Sequence, residues 1–272
     1  MQRVTISGVQ IFFESEEQAA GKLVERACER TARLLEQEWR LPVPQDCRVY
    51  VMTSVTGFMF QSAPWMWRFI MAVTMPVWYF KAKRLWQFAG GWVQRFGNRL
   101  AIGVKPPRLI QQSDRRMGER IFLKEENPEI KVEHITCHEL THAYSAHLRP
   151  PAWFNEGLAM RMVDKYFGKC TVREDTLDLL GEASPKQVAK RYRFLSRQDQ
   201  AALVNLYVRA YWLIRYLETE YPELLASLLA SRHSHAELEA KVARALDIPT
   251  NEFWEKVDRK LIAHFQTKPQ VA

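Results

Sequence analysis

Clustered cysteine is the first thing this chain lacks. Its four cysteines, Cys28, Cys47, Cys137 and Cys170, stand far apart in 272 residues, and none forms a Cys-x-x-Cys pair. That excludes a structural zinc ribbon and a disulfide scaffold, and fits a reducing compartment. Met1 to Phe13 has no basic segment followed by an apolar run and a small-residue cleavage site, so a secretory signal is not expected and a cytoplasmic setting is. The chain from Ser184 to Phe265 has no repeat and no low-complexity run. A net charge of +8 comes from Lys and Arg scattered among Asp and Glu, a mild bias towards acidic partners. No nucleic-acid partner is expected. A long uninterrupted apolar run is missing as well: Pro64 to Phe80 is short for a bilayer core, carries Arg68 and is broken by Pro76.

What is present suffices for a sizeable core, since 47% of the residues are hydrophobic. Val4 to Phe13 reads as one or two short strands broken at Gly8. Ser15 to Arg40 follows as a helix, with Ser15 and Gln18 spaced as a capping box. Cys47 to Thr53 alternates as a strand, giving a β-α-β start. Residues 58–96 are an aromatic, methionine-rich insertion that ends in Lys81, Lys83 and Arg84, with Gly90-Gly91 marking a turn. It suits a peripheral membrane contact, a protein contact or a lid, with a buried helical hairpin as the plainer alternative. Leu100 to Val104 and Arg120 to Leu123 are further candidate strands.

The chemistry is concentrated in His138-Glu139-Leu140-Thr141-His142. Two histidines four apart on a helix sit about 40° apart around its axis, so both rings reach one metal ion with the glutamate beside it. A shuffled chain with this many histidines would contain such a motif only about once in a hundred. Asn127 and Pro128 open the metal helix, which should run to Leu148 before Pro150-Pro151. A catalytic zinc commonly takes three protein ligands, and Glu156, fourteen positions after His142, can fold back across a short turn to supply the third. Asn155 is the expected cap of that second helix, which ends before Gly168. His134 shares the metal face, but three turns of straight helix span about 12 Å, too far for all three histidines to meet one ion.

Beyond that point the pattern is helical. Leu203, Leu206, Tyr207, Ala210, Tyr211, Ile214 and Leu217 make one face of a long helix ending near Tyr221-Pro222. Ser234 to Glu237 reads as a capping box, and Thr250 as the cap of the final helix.

His138 to Ala143, Trp153-Phe154-Asn155-Glu156-Gly157-Leu158-Ala159 and, less specifically, Tyr207 to Tyr211 resemble the gluzincin zinc metallopeptidases, and within them the compact peptidase MA-like domains. The resemblance implies His138, His142 and Glu156 as Zn2+ ligands, Glu139 as general base, and a tyrosine of the later helix, Tyr207 in preference to Tyr211, as donor to the oxyanion. Some gluzincins place an aspartate four residues after the glutamate ligand; Met160 stands there, so a carboxylate that orients a histidine either comes from elsewhere, with Asp164 or Glu133 as candidates, or is missing. His147 would be the third ligand only in a metzincin pattern, whose glycine and later histidine are missing. Cys137 is expected to pack under the site.

The expected architecture is α+β: a small N-terminal β-α-β sheet region packed on a zincin metal helix, with a mostly helical C-terminal part. It divides into 1–127, the helix pair 128–168, and 169–272, forming one peptidase-like unit. The expected function is a zinc metallopeptidase-like hydrolase acting on a peptide or protein. The alternatives are an inactive, metal-stabilised binding module and a membrane-peripheral interaction protein built on the insertion.

Overall fold

Ser7 and Gly8 both adopt positive φ, 49° and 79°, the backbone that a two-residue hairpin of right-twisted strands demands. They join β1 (Gln2–Ile6) to β2 (Val9–Phe13) in antiparallel register, with Ile6 opposite Val9. The computed structural model describes residues 1–111, 118–180 and 197–267. Internal contacts divide the chain into two units, Met1–Arg115 with Lys124–Tyr144, and Arg116–Leu123 with Ser145–Ala272. The protein is α+β.

The first unit is built on a mixed sheet ordered β1-β2-β3-β5-β4. Helix α1 (Gln18–Trp39) carries the chain from β2 to the parallel strand β3 (Asp46–Val51), the expected β-α-β start. In β2, Val9, Ile11 and Phe13 are buried on alternate positions, and the ring of Phe13 lies against Gly21 of α1. The α1 start departs from the expected capping box: Ser15–Glu17 forms a 3-10 turn, and Glu17 precedes the α-helix without a side-chain cap. Arg108 of α4 (Pro107–Ile110) instead pairs with the buried Glu17 carboxylate.

The opposite sheet face is aromatic. Phe12 stacks on Tyr50 at 4.9 Å between ring centroids, and Tyr50 meets Phe58 edge-on at 5.9 Å. Phe58 lies on α2 (Val55–Ser62), which leads into α3 (Trp65–Phe88). Residues 91–96, read from sequence as the end of the insertion, form strand β4 (Gly91–Phe96), paired antiparallel with β5 (Arg99–Val104) across a two-residue turn. The insertion therefore returns to the sheet, and α3 is largely exposed where the hairpin reading required burial.

In the second unit, Arg120 to Leu123 is not a strand. It enters a short helix, α5 (Gly118–Ile121), and its pairing amounts to one bridge from Phe122 to Val172. Helix α7 (Ala152–Phe167) ends where Gly168 takes the left-handed conformation at φ 66°. It packs closely on α8 (Arg197–Glu220) at Gly157, where a Cβ would collide with the Ala210 carbonyl and lie 2.5 Å from Ile214 Cγ1. The start of the C-terminal part at Ser184 lies outside the described residues.

Helix α8 stops before Tyr221-Pro222 as expected, yet it is enclosed on every side from Val208 to Ile214, not along one stripe. Arg209 is tolerated in this core because Asp258 accepts from its Nε at 3.0 Å and Nη2 at 2.8 Å. Asp258 lies on α11 (Phe253–Thr267), reached through α9 (Pro222–Ala230) and α10 (His235–Ala245). Ser234 and Glu237 form the expected capping box on α10, whereas Thr250 opens a 3-10 turn and does not cap α11.

The buried Arg209–Asp258 pair yields a stability prediction. Asp258→Ala strands a guanidinium in the core and is expected to cost about 3–5 kcal/mol, read from the urea midpoint. Arg209→Met with Asp258→Leu removes both charges and should recover most of that loss.

Candidate metal centre

Helix α6 (Pro128–Ser145) begins as its sequence demands. The Asn127 side-chain oxygen accepts from the Glu129 amide at 2.9 Å, and Pro128 occupies the first helical position, where no amide is needed. Its far end tightens into a 3-10 turn over Ala146–Leu148 and stops at Arg149, left-handed at φ 49°, before the two prolines. Val132, Thr136, Cys137, Leu140 and Tyr144 are buried, which leaves His138, Glu139 and His142 half-buried on the remaining face. The Glu133 carboxylate accepts from Arg26 Nε of α1 at 2.8 Å and holds the helix from the side.

On this face the Nε2 atoms of His138 and His142 lie 3.1 Å apart, with the rings edge-to-face at 86°. Two nitrogens bound tetrahedrally to one zinc ion at its usual bond length stand about 3.3 Å apart, so the donor pair fits such an ion. Glu139 is positioned by the sheet. A Cβ on Gly91 at the start of β4 would lie 2.7 Å from the Glu139 Cγ and Oε1 and 2.6 Å from Ile135 Cγ2, so a side chain there would displace the Glu139 carboxylate or the Ile135 methyl.

The next helix starts four residues earlier than an Asn155 cap requires. Pro151 precedes α7, and Asn155 lies within its first turn. There its side-chain oxygen accepts from the Ser145 hydroxyl at 2.8 Å, tying the last residue of α6 to the residue before Glu156. Glu156 is buried. Among the described residues, His138, His142 and Glu156 form a group in which one potential ligand atom from each lies within 4.8 Å of the others.

The rival ligands are arranged otherwise. His147 is exposed beyond the end of α6. His134 is half-buried as a residue, but burial of the group pushes its imidazole down to about 3, with His138 as the second cause, so it stays neutral. Cys137 is fully buried facing α1, where burial pushes its thiol up to about 12 against a lowering hydrogen bond with Thr31.

The two tyrosines of α8 are no longer equivalent. Tyr211 is fully buried and donates to Asp164 Oδ2 at 2.8 Å, whereas Tyr207 is half-buried one turn earlier. Asp164, a candidate for orienting a histidine, is engaged in its own unit by Arg161 at 2.5 Å, by the Thr171 amide and hydroxyl at 2.7 Å each, and by Tyr211. Three contributors escaped sequence reading. The sequence places Gly91 in a turn, marks Ser145 with no motif, and gives no local reason for glycine at 157. The repeated Gly90-Gly91 before an alternating stretch was the available signal for the first.

No family model, curated protein or solved structure matches this chain.

Thiol reactivity checks the packing under the centre. Cys28, Cys47 and Cys137 are buried and their thiols are raised by that burial, Cys47 to about 12, whereas Cys170 is half-buried. Titration of the native protein with an aromatic disulfide at pH 8 is expected to label Cys170 first, the other three reacting only on unfolding.

Proposed function

We propose that this protein is a zinc-dependent metallopeptidase-like hydrolase of the gluzincin type, acting on a peptide or protein. The observation that carries the reading is the convergence of two imidazole nitrogens 3.1 Å apart with a carboxylate from the following helix. A neutral imidazole pair with one carboxylate is a donor set suited to a catalytic zinc, leaving a ligand position and net positive charge. In this proposal His138, His142 and Glu156 hold the ion, which when bound would supply Lewis acidity and bring the pKa of water towards neutrality.

The chain's own residues do the remaining work. Glu139 takes a proton from water as its oxygen adds to the scissile carbonyl carbon, and returns that proton to the nitrogen as the C–N bond breaks. The close approach of Gly91 limits where the Glu139 carboxylate can stand, which favours a fixed base over a mobile surface acid. Tyr207 is assigned as donor to the developing oxyanion. Its preference over Tyr211 is supported by the hydroxyl of Tyr211 already donating to Asp164. The finer architecture proposed is a zincin arrangement, with the helix pair α6 and α7 carrying the ligands.

Elemental analysis of protein purified without added metal is expected to give one zinc per chain, lost in His142→Ala. Glu139→Gln should keep the zinc and lower turnover by at least about a hundredfold. The substrate is found by comparing protein fragments generated in a whole proteome by wild type and by Glu139→Gln. Zinc present with no fragment specific to wild type would favour the inactive, metal-stabilised module, and no zinc at all would sink both readings. Once a substrate is in hand, Tyr207→Phe is expected to reduce kcat by about a hundredfold with zinc content unchanged. Gly91→Val should impair kcat in the same way by displacing Glu139.

A further inference from the structure

Helix α3 presents an apolar surface that no described residue of its own unit covers. Trp65, Phe69, Val73, Val77 and Phe80 follow one another along it at 79%, 72%, 67%, 84% and 71% exposure, with Met66 and Ile70 exposed beside them. Only Met71 and Ala82 are buried among its described side chains. A patch of this size on a folded chain marks a contact surface. We propose that α3 docks on an anionic lipid bilayer, lying in the boundary between headgroups and acyl chains.

Topology sets the mode of contact. The segment leaves the sheet after Val51 of β3 and re-enters it at Gly91 of β4, two strands separated only by β5. Both ends are thus held on one side, and among the described residues no helix is long and apolar enough to cross a membrane. The geometry allows a helix that enters the interface and returns. Near Pro76, two polar side chains of the helix turn back onto its own backbone and so need no partner in an apolar medium. Thr74 Oγ1 donates to the Ile70 carbonyl at 2.8 Å, and Trp78 Nε1 to the Met71 carbonyl at 2.9 Å.

Charge decides between possible occupants. Although Lys and Arg are scattered among acids over the whole chain, the 67 residues from Cys47 to Ser113 contain nine Lys or Arg and no Asp or Glu. Two copies of this chain meeting through α3 would bring two basic segments together, each with exposed Arg68 and Lys83, at a cost in repulsion. An anionic membrane reverses that sign and needs no matching groove for the aromatic rings. Trp65 and Trp67 at one end and Trp78 and Tyr79 further along are the side chains that favour the interfacial layer.

The test is co-sedimentation of the full chain with vesicles of phosphatidylcholine alone and of phosphatidylcholine with phosphatidylglycerol, together with the tryptophan emission maximum. Binding to the anionic vesicles with a blue shift, weakening as salt rises, is the expected result. Trp65→Ser with Phe69→Ser should reduce partition by at least about tenfold, and Lys83→Glu by about fivefold. Both changes lie on exposed positions, so an unchanged urea midpoint verifies that each variant is folded. Equal binding to both vesicle types, or no binding to either, overturns the proposal. So does a dimer in sedimentation velocity that Phe69→Ser dissolves without lipid, since the occupant would then be a second copy.

Discussion

Two imidazole nitrogens 3.1 Å apart on one helix are a demanding arrangement. With no hydrogen between them, two nitrogen lone pairs facing each other at that distance repel. A divalent ion accepting both lone pairs answers the same geometry without that repulsion, which is the physical root of the proposed zinc chemistry. Everything that steadies α6 serves this pair: the Asn127 cap, the Arg26 bond to Glu133, and the buried seam from Val132 to Tyr144.

Two close approaches set the surroundings. Gly91 lets β4 pass beside Glu139, and Gly157 lets α7 press onto α8 within the second unit. Each glycine serves a close approach and not a left-handed turn, since neither has positive φ. The Ser145–Asn155 bond links the last residue of α6 to the first turn of α7, so the spacing between the two motifs is structural as well as sequential. Asp164 follows a different logic. Its bonds to Arg161, Thr171 and Tyr211 make it a brace for α7 and α8, and the Tyr211 phenol is consumed in that brace.

Legibility tracked the range of the interactions. The Asn127-Pro128 helix start, the Ser234–Glu237 capping box, the Gly168 stop and the β-α-β opening were readable because each rests on neighbours in the chain. Strand β4 was hidden by the aromatic run before it, and its partner β5 lies across a turn beyond the expected end of the insertion. Arg120 to Leu123 looked like a strand from its apolar residues, but among the described residues its ladder contact is one bridge to Val172, a partner some fifty residues away. Helix α8 looked amphipathic because Arg209 reads as a solvent residue until Asp258 is known to face it.

The sequence by itself determined the donor chemistry: which helix carries two histidines and a glutamate, at a spacing that turns them to one side, and which downstream carboxylate could join them. Helical periodicity and capping are local, so they can be read along the chain. Only the tertiary structure decided that Tyr211 is committed to Asp164, that Gly91 confines Glu139, and that the aromatic helix lies exposed between two strands of one sheet. Those outcomes depend on partners tens of residues away, and no pattern within one element records which distant side chain will meet it.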